Sequence, residues 1–597
     1  MKKIYILLTL LAVMAVGCTK VPETAGPEPV TDQFDPAFAA ELQKRGYIAD
    51  AQHITPDEVA AITELDLSAD DENGDPLRSL RGIEYFSALQ VLSCNGHQLE
   101  ELDLQANTVL VSLNCNHNWL TTLDLSHNPA LTTLHCQGND LTELNVNGNP
   151  ALVTLNCSWN DLTSLDVSHN TALETLICND NALTALDLSH NTALTSLNCH
   201  SNVLSSLEVS GNTLLEVLDC SWNALTSLDV SQHTALTSLD CTSNTLTTLN
   251  TDNATALTAL ACSGNSLTTL DISGNPALVE LNCEGNFLTS LDASRNTALV
   301  TLSCNSNALA TLNVSNCPAL TTLNCSNNNV LSTLDVSANT ALTSLNCSNT
   351  TLTALDVRNN TMLVDLQCDN NALTALDLSN NTALVTLICD FNRIPSLDLT
   401  GLTALTTLTC SWNALTSLDV SHNTALTSLA CSYNSLSVLD TSHNTALTSL
   451  ACSSNSLSVL DTSHNTALTS LACSSNSLSV LDTSHNTALT SLSCDNNSLS
   501  VLDISHNTAL TLLDCSYNAL TELNVHENTL LTMLYCNSNQ LQSMDISNNT
   551  ALEYFACDNN PGDGTQFPVD AWFDDTAIPQ YFTTGSWMGI TITYRKK

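Results

Sequence analysis

Positive charge is almost missing from this chain. Only 13 Lys and Arg stand against 59 Asp and Glu, a formal net charge of −46 over 597 residues. Between Cys94 and Cys557 the only basic residues are Arg295, Arg358 and Arg393. A surface of that sign repels phosphate and argues against any nucleic-acid partner. Aromatic residues are scarce too, at 4%, whereas a globular enzyme core uses more aromatic volume beneath a surface of mixed sign. After the first residues there is no apolar run long enough to cross a membrane. What the chain does have is leucine throughout and 43% apolar residues, enough to drive collapse and exclude disorder.

The opening MKKIYILLTLLAVMAVGC reads as an export address. Lys2 and Lys3 form a basic start, Ile4 to Val13 a short apolar stretch, and residues 1–17 a signal peptide. Ala15-Val16-Gly17-Cys18 resembles a bacterial lipobox, in which cleavage leaves the Cys18 thiol to be lipidated. Two or more acyl chains there would hold the protein stably on a membrane. Residues 18–34 then form a Pro/Glu/Thr-rich tether. The expectation is an exported, membrane-anchored lipoprotein, in the outer membrane and exposed at the surface of a Gram-negative bacterium.

Periodicity settles the architecture. Cysteines fall every 21 residues from 94 to 325, and again from 347 to 557, making 23 cysteines with a single 22-residue step. The coils 447–467 and 468–488 are identical, as recent duplication allows when each coil touches only its neighbours. Each unit fits LxxLxCxxNxLxxLDVSxNTA. Alternation across Leu450-Ala451-Cys452 turns Leu and Cys inward on a short strand. Asn follows three residues after the ladder Cys in 21 of 23 coils, His97 and Thr350 being the exceptions, and can satisfy backbone groups left by a tight bend. LDVSHN repeats the scheme on a second flank, with Leu and Val inward and Asp and Ser outward. The fold class is therefore a mostly β repeat solenoid: a flattened stack of about 23 coils with short parallel strands and no helices on the convex side.

The unit resembles a leucine-rich repeat with Cys in the third apolar position of LxxLxLxxN. Over residues 60–560 it is similar to internalin J and related bacterial cell-surface leucine-rich-repeat proteins. That resemblance implies a leucine-rich-repeat fold, surface display and adhesion. Such proteins usually carry a C-terminal wall anchor, a role that falls here to Cys18.

Both ends carry caps. Residues 35–93 form the N-terminal one, with a helix expected from Asp35-Pro36 to Gly46 and a second from Thr55-Pro56 with Thr55 as its N-cap. The degenerate coil Leu77–Cys94 follows, with Ile83, Tyr85 and Phe86 covering the first rung. The solenoid occupies 94–560. Residues 561–597 form a β-containing C-terminal cap in which Trp572, Phe573, Tyr581 and Trp587 are expected to close the last coil.

No column of the repeat offers catalytic chemistry. Stacked cysteines run parallel, whereas zinc and disulfides need convergent sulfurs, so they read as small core residues. Cys317 breaks the pattern and is expected to be an exposed, reactive thiol; the extra residue within Cys325–Asn329 is expected to form a bulge. The Asp column (Asp335, Asp356, Asp377, Asp398, Asp419, Asp440, Asp461, Asp482, Asp503) could attract Ca²⁺, but its simpler use is bonding to neighbouring Ser, Thr or backbone. The acidic loop Asp70–Asp75 is a weak match to a calcium loop. His422, His443, His464, His485 and His506 sit beside Ser and Asp at every coil, so no one base pairs with one nucleophile in a pocket. No enzyme activity and no cofactor are expected.

Candidate binding residues lie where the first flank varies. Two residues after the ladder Cys, the usual small residue becomes Trp159, Trp222, Phe391, Trp412, Tyr433 or Tyr517. Phe391, Trp412 and Tyr433 occupy successive coils, with Asp369, Asp390 and Arg393 beside them. Exposed aromatics among polar groups are typical anchors for ligands. The reading is a surface-anchored, non-catalytic protein for macromolecular recognition or adhesion, with a protein ligand favoured. A glycan-binding lipoprotein stacking sugars on the aromatic strip, or a passive spacer, are the alternatives.

Overall fold

The computed structural model describes residues 28–69 and 76–597. The signal peptide, Cys18 and the acidic loop at 70–75 lie outside the described residues. The chain divides into two compact units, Met1–Leu183 and Thr184–Lys597, each built on the same coil.

In the first unit, strands Val91–Ser93, Ser112–Asn114, Thr133–His135, Thr154–Asn156 and Thr175–Ile177 pair in parallel at a 21-residue register, so that Leu92, Leu113, Leu134, Leu155 and Leu176 stand in one row. An earlier rung, Glu64–Asp66, pairs with Val91–Ser93. The stack thus begins one strand before the first ladder cysteine. The cap over it is a helix, Pro36–Lys44, whose N-cap Asp35 accepts from the Ala37 and Phe38 amides. Gly46, at φ +80°, ends it: Tyr47 N donates to Leu42 O and Gly46 N to Gln43 O, the paired bonds of a glycine C-cap. Phe34, Phe38, Ile83 and Phe86 are buried beneath it, and Tyr85 stacks on Phe34. The second helix is short, Pro56–Val59, and the Thr55 side chain makes no capping bond. The expected cap is absent because the Glu58 amide goes instead to the Thr55 carbonyl.

The second unit carries the ladder from Ser196–Asn198 to Tyr554–Ala556 with the same register, as in the row Leu429, Leu450, Leu471 and Leu492, save for one 22-residue step from Thr322–Asn324 to Ser344–Asn346. Among the described residues of both units there are 24 first-flank strands. Between Cys94 and Cys557 no helix interrupts the coils. The second flank is extended and forms strand pairs in places, such as Ser227–Asp229 with Thr248–Asn250. At the C-terminal end, Gln566–Ala571 pairs with Met544–Asp545 of the second flank and with Ile590–Lys596. Phe555 of the last first-flank strand exchanges backbone bonds with Tyr581 and Thr583. Both open edges are thereby covered, which removes a template for edge-to-edge pairing. Phe567, Phe573, Phe582 and Tyr594 are buried there. Tyr581 and Trp587 lie at the rim of the lid: both are about half exposed, Tyr581 stacked on Tyr554 and Trp587 donating to Asn559 of the last coil.

Every ladder cysteine is buried and free. Burial pushes the thiols up, to about 12 for Cys115, Cys157, Cys283 and Cys452, so they act as small core groups rather than nucleophiles. Cys317 is a correction: it is fully buried, its Sγ donates to Ala293 O, and burial raises it to about 11. It occupies a place that Asn fills in neighbouring coils and makes one of the bonds that Asn would make.

The Asn after each ladder Cys fastens coil to coil. Asn265 donates from Nδ2 to Cys241 O of the preceding coil and to Cys262 O of its own, while its Oδ1 accepts from Leu246 N. The two exceptions conform by other means. His97 accepts from Leu77 N at Nδ1 and reaches Leu67 O through Nε2. Thr350 Oγ1 turns to Cys347 O and Asn371 Oδ1 and does not take the Leu331 amide; the extra residue of the preceding coil makes a turn in which Leu331 N donates to Asn328 O. The 22-residue coil therefore holds a turn at Asn328–Leu331 rather than a bulge. That turn removes the need for an asparagine at 350.

Candidate ligand-binding surface

The residue two places after each ladder Cys lies in the left-handed region in all 23 coils. Non-glycine members have φ between 51° and 57°, and Gly96, Gly138, Gly264 and Gly285 supply the rest. The cause is the bend itself. The amide there donates to the next coil, as Trp412 N does to Ser432 O, and the following Asn must then swing back to the Cys carbonyl. Glycine adopts this conformation freely and Asn and Asp with little strain, whereas Ser and bulky side chains adopt it at a cost. The small residues of this column are a backbone requirement.

Against that requirement, the column holds Trp159 and Trp222 at 59% and 62% exposure, and Phe391, Trp412, Tyr433 and Tyr517 at 51%, 45%, 45% and 59%. Phe391 and Trp412 stack with centroids 5.3 Å apart, and Trp412 and Tyr433 at 3.8 Å, each pair 11° from parallel. Three left-handed placements cost about 3–6 kcal/mol relative to glycine. Two stacked pairs offset about 1–3 kcal/mol of this. Coils with Ser at this position carry the same left-handed placement, so what sets the strip apart is three exposed rings stacked in successive coils.

The structure places Asp390 and Arg393 in the coil of Phe391 and Asp369 one coil before it, so that with Trp412 and Tyr433 the six residues come from four successive coils. Asp390 is half-buried and accepts from Ser411 N; burial pushes its carboxyl above the ordinary value, partly opposed by the bond from Ser411. Asp369 accepts from Ser348 Oγ. Arg393 is exposed and makes no ion pair among the described residues. Tyr517 stands apart, between Asn496 and Ser538 in its column, and Trp159 and Trp222 have no neighbouring ring. Trp119 and Phe287, four residues after the ladder Cys, are also exposed at 44% and 60%. Their offset from the column hid them in the sequence, although their rarity as aromatics marks them.

The other columns are bound into turns. In the Asp column each Oδ1 accepts from the amide two residues on, as Asp461 does from Ser463. The Ser463 hydroxyl and amide together hold that carboxyl below its usual range. Ser463 Oγ meets Nδ1 of His464 at 3.2 Å, so Asp bonds to serine and does not orient the imidazole as a hydrolase triad requires. Among the described residues no three His, Cys, Asp or Glu side chains converge on a point that could hold a metal ion, and no helix is long and apolar enough to cross a membrane.

No family model and no curated protein matches the chain. Solved structures do. The functional domain of InlJ from Listeria monocytogenes, which includes a cysteine ladder, is 35% identical, covering 64% of this chain and 81% of that one with a TM-score of 0.53. YopM from Yersinia enterocolitica is 26% identical over 73% of this chain and 91% of its own, with a TM-score of 0.57. The plant peptide hormone receptor RGFR1, in complex with RGF2, shares the fold at 18% identity, over 90% of this chain and 95% of its own, with a TM-score of 0.65.

Proposed function

This chain belongs to the internalin-type family of leucine-rich-repeat proteins with a cysteine ladder, and we propose that it is a non-catalytic binding protein whose ligand is another protein. One observation carries the reading: three bulky rings stand exposed and stacked in successive coils, where most other coils carry a small residue. A long repeat face offers extended contact and suits a large partner. Sugar stacking is disfavoured, since a pyranose needs an open ring face and both faces of Trp412 are taken by its neighbours. Protein ligands can use the exposed ring edges together with the carboxylate of Asp390 and the guanidinium of Arg393. No cofactor enters this reading, and Ca²⁺ bound along the Asp column would be incidental to it.

Anchoring belongs to the same proposal. Lipidation at Cys18 after removal of residues 1–17 would place the coils on the outer membrane and present them for adhesion. The test pairs the purified chain with a Phe391→Asn, Trp412→Asn, Tyr433→Asn variant against a panel of cell-surface proteins and polysaccharides. Asn is native to this column, as at Asn370, and should preserve the fold. A protein ligand bound by the parent and lost by the variant supports the reading. A polysaccharide lost in its place would transfer the strip to glycans, and binding that survives would remove it as the site.

A further inference from the structure

A second surface lies on the other flank. Val438, Val459, Val480 and Val501 occupy the same outward position in four successive coils and are 71%, 71%, 71% and 59% exposed. They form the longest run of large apolar side chains exposed in successive coils among the described residues. Elsewhere the position holds Ser, Thr, Ala or Glu, as at Ser417, Thr333, Ala375 and Glu522. In three of the four coils the inward residue three places later is Thr441, Thr462 or Thr483, where every counterpart but Thr251 is Val, Leu, Ile or Ala. Relative to a coil such as LTSLDV at 415–420, a methyl-bearing side chain has moved outward and a hydroxyl inward. The hydroxyl finds a partner in the core: Thr441 donates to Asn465 Oδ1, Thr462 to Asn486 and Thr483 to Asn507, each at 2.8 Å. The valines find none on the surface, and nothing in the coil requires them there.

Beside the valine row, one inward residue further along each coil, runs the exposed carboxylate column Asp440, Asp461, Asp482 and Asp503. Val438, Val459, Asp440 and Asp461 line one shallow depression. At about 5 Å per coil the four valines span about 15 Å. Apolar residues at i, i+4, i+7 and i+11 of a helix span about 16 Å, whereas four same-face residues of an extended strand span about 20 Å. The adjoining carboxylates oppose a second copy of this chain and favour a cationic partner.

We propose that the row Val438–Val501 with its flanking Asp column docks an amphipathic helix of a partner protein, its apolar stripe on the valines and its Lys or Arg side chains against the carboxylates. This site is separate from the aromatic strip and does not depend on it.

The test measures binding of a fluorescent 18-residue peptide of Leu and Lys, with Leu on one helical face, to the full chain by anisotropy. Val438→Ser, Val459→Ser, Val480→Ser and Val501→Ser together install a residue native to sibling coils. Asp440→Asn, Asp461→Asn, Asp482→Asn and Asp503→Asn together keep the turn acceptor, as Asn524 does for the His526 amide, and remove the charge. Each set is expected to weaken binding at least tenfold, while the three aromatic-to-Asn changes leave it within twofold. Unchanged affinity in the serine variant would overturn the proposal. So would equal binding of a Leu/Glu peptide or of a Ser/Lys peptide lacking the apolar face. Sedimentation showing a dimer of the parent that the serine variant lacks would overturn it in favour of self-association.

Discussion

Two columns of asparagine run through every stretch of the solenoid, and they are not equivalent. On the first flank, Asn265 uses both ends of its amide, with Nδ2 on two cysteine carbonyls and Oδ1 on the Leu246 amide. On the second flank, Asn296 donates from Nδ2 to Ile272 O and Asn275 O, but its buried Oδ1 has no protein partner. Asn275, one coil earlier, differs because Thr251 donates a hydroxyl to its Oδ1 at 2.8 Å. The first column is a fully paired device and the second a half-paired one that a single Val-to-Thr exchange completes. Identical residues at an identical period can thus have unequal energetic weight, because a buried acceptor left alone costs about 1–3 kcal/mol.

The largest test of that contrast is Asn265→Ala. It orphans the Leu246 amide and takes one of two Asn donors from each of Cys241 O and Cys262 O, and is expected to cost about 2–4 kcal/mol in chemical unfolding. Asn296→Ala should cost only about 1–2 kcal/mol, since it also removes an unpaired acceptor. Equal losses would break the distinction between the columns.

Thr462→Val sharpens it from the other side. Asn486 Oδ1 would lose its donor, with an expected loss of about 1–2 kcal/mol. Val420→Thr should stabilise by up to about 1 kcal/mol by reaching Asn444, whose Oδ1 is now unpaired. Thermal unfolding of the two variants against the parent reads both signs.

A smaller effect is expected on the strip. Trp412→Asn relieves a left-handed tryptophan but removes two stacked contacts. These terms nearly cancel, and stability should stay within about 1 kcal/mol of the parent. A loss of 3 kcal/mol or more would make the strip a structural element.

The smallest effect is in pH. Asp356, through bonds from Arg358, is held down to about 2. Burial pushes Asp545 up, but Lys597 and Ser547 outweigh it and bring it also to about 2. A folded value below the ordinary 3.8 means that the contribution is complete above about pH 4 and is lost as pH falls toward 2. Asp390 and Asp514 are raised, chiefly by burial, so protonating them favours the fold as pH drops through their folded values. Melts from pH 7 to 2 should show a slight rise or plateau above pH 4 and then a fall. Asp390→Asn with Asp514→Asn should abolish the rise.

The 21-residue cysteine period fixed the coil, the inward Leu and Cys and the parallel register, because a periodic core admits only one way of stacking. The asparagine rule and the aromatic strip were legible for the same reason, since each is a column read at constant phase. Tertiary structure decided what depends on neighbours in the stack. Cys317 is buried because the coil before it offers Ala293 O. Thr350 is tolerated because a turn one coil away already satisfies the Leu331 amide. The small residues beside the strip answer to a left-handed backbone rather than to space. Valines in 438–501 face solvent while threonines face a buried acceptor. Sequence period determines which residues align along the stack; only the packed coils determine which of their hydrogen bonds are already made.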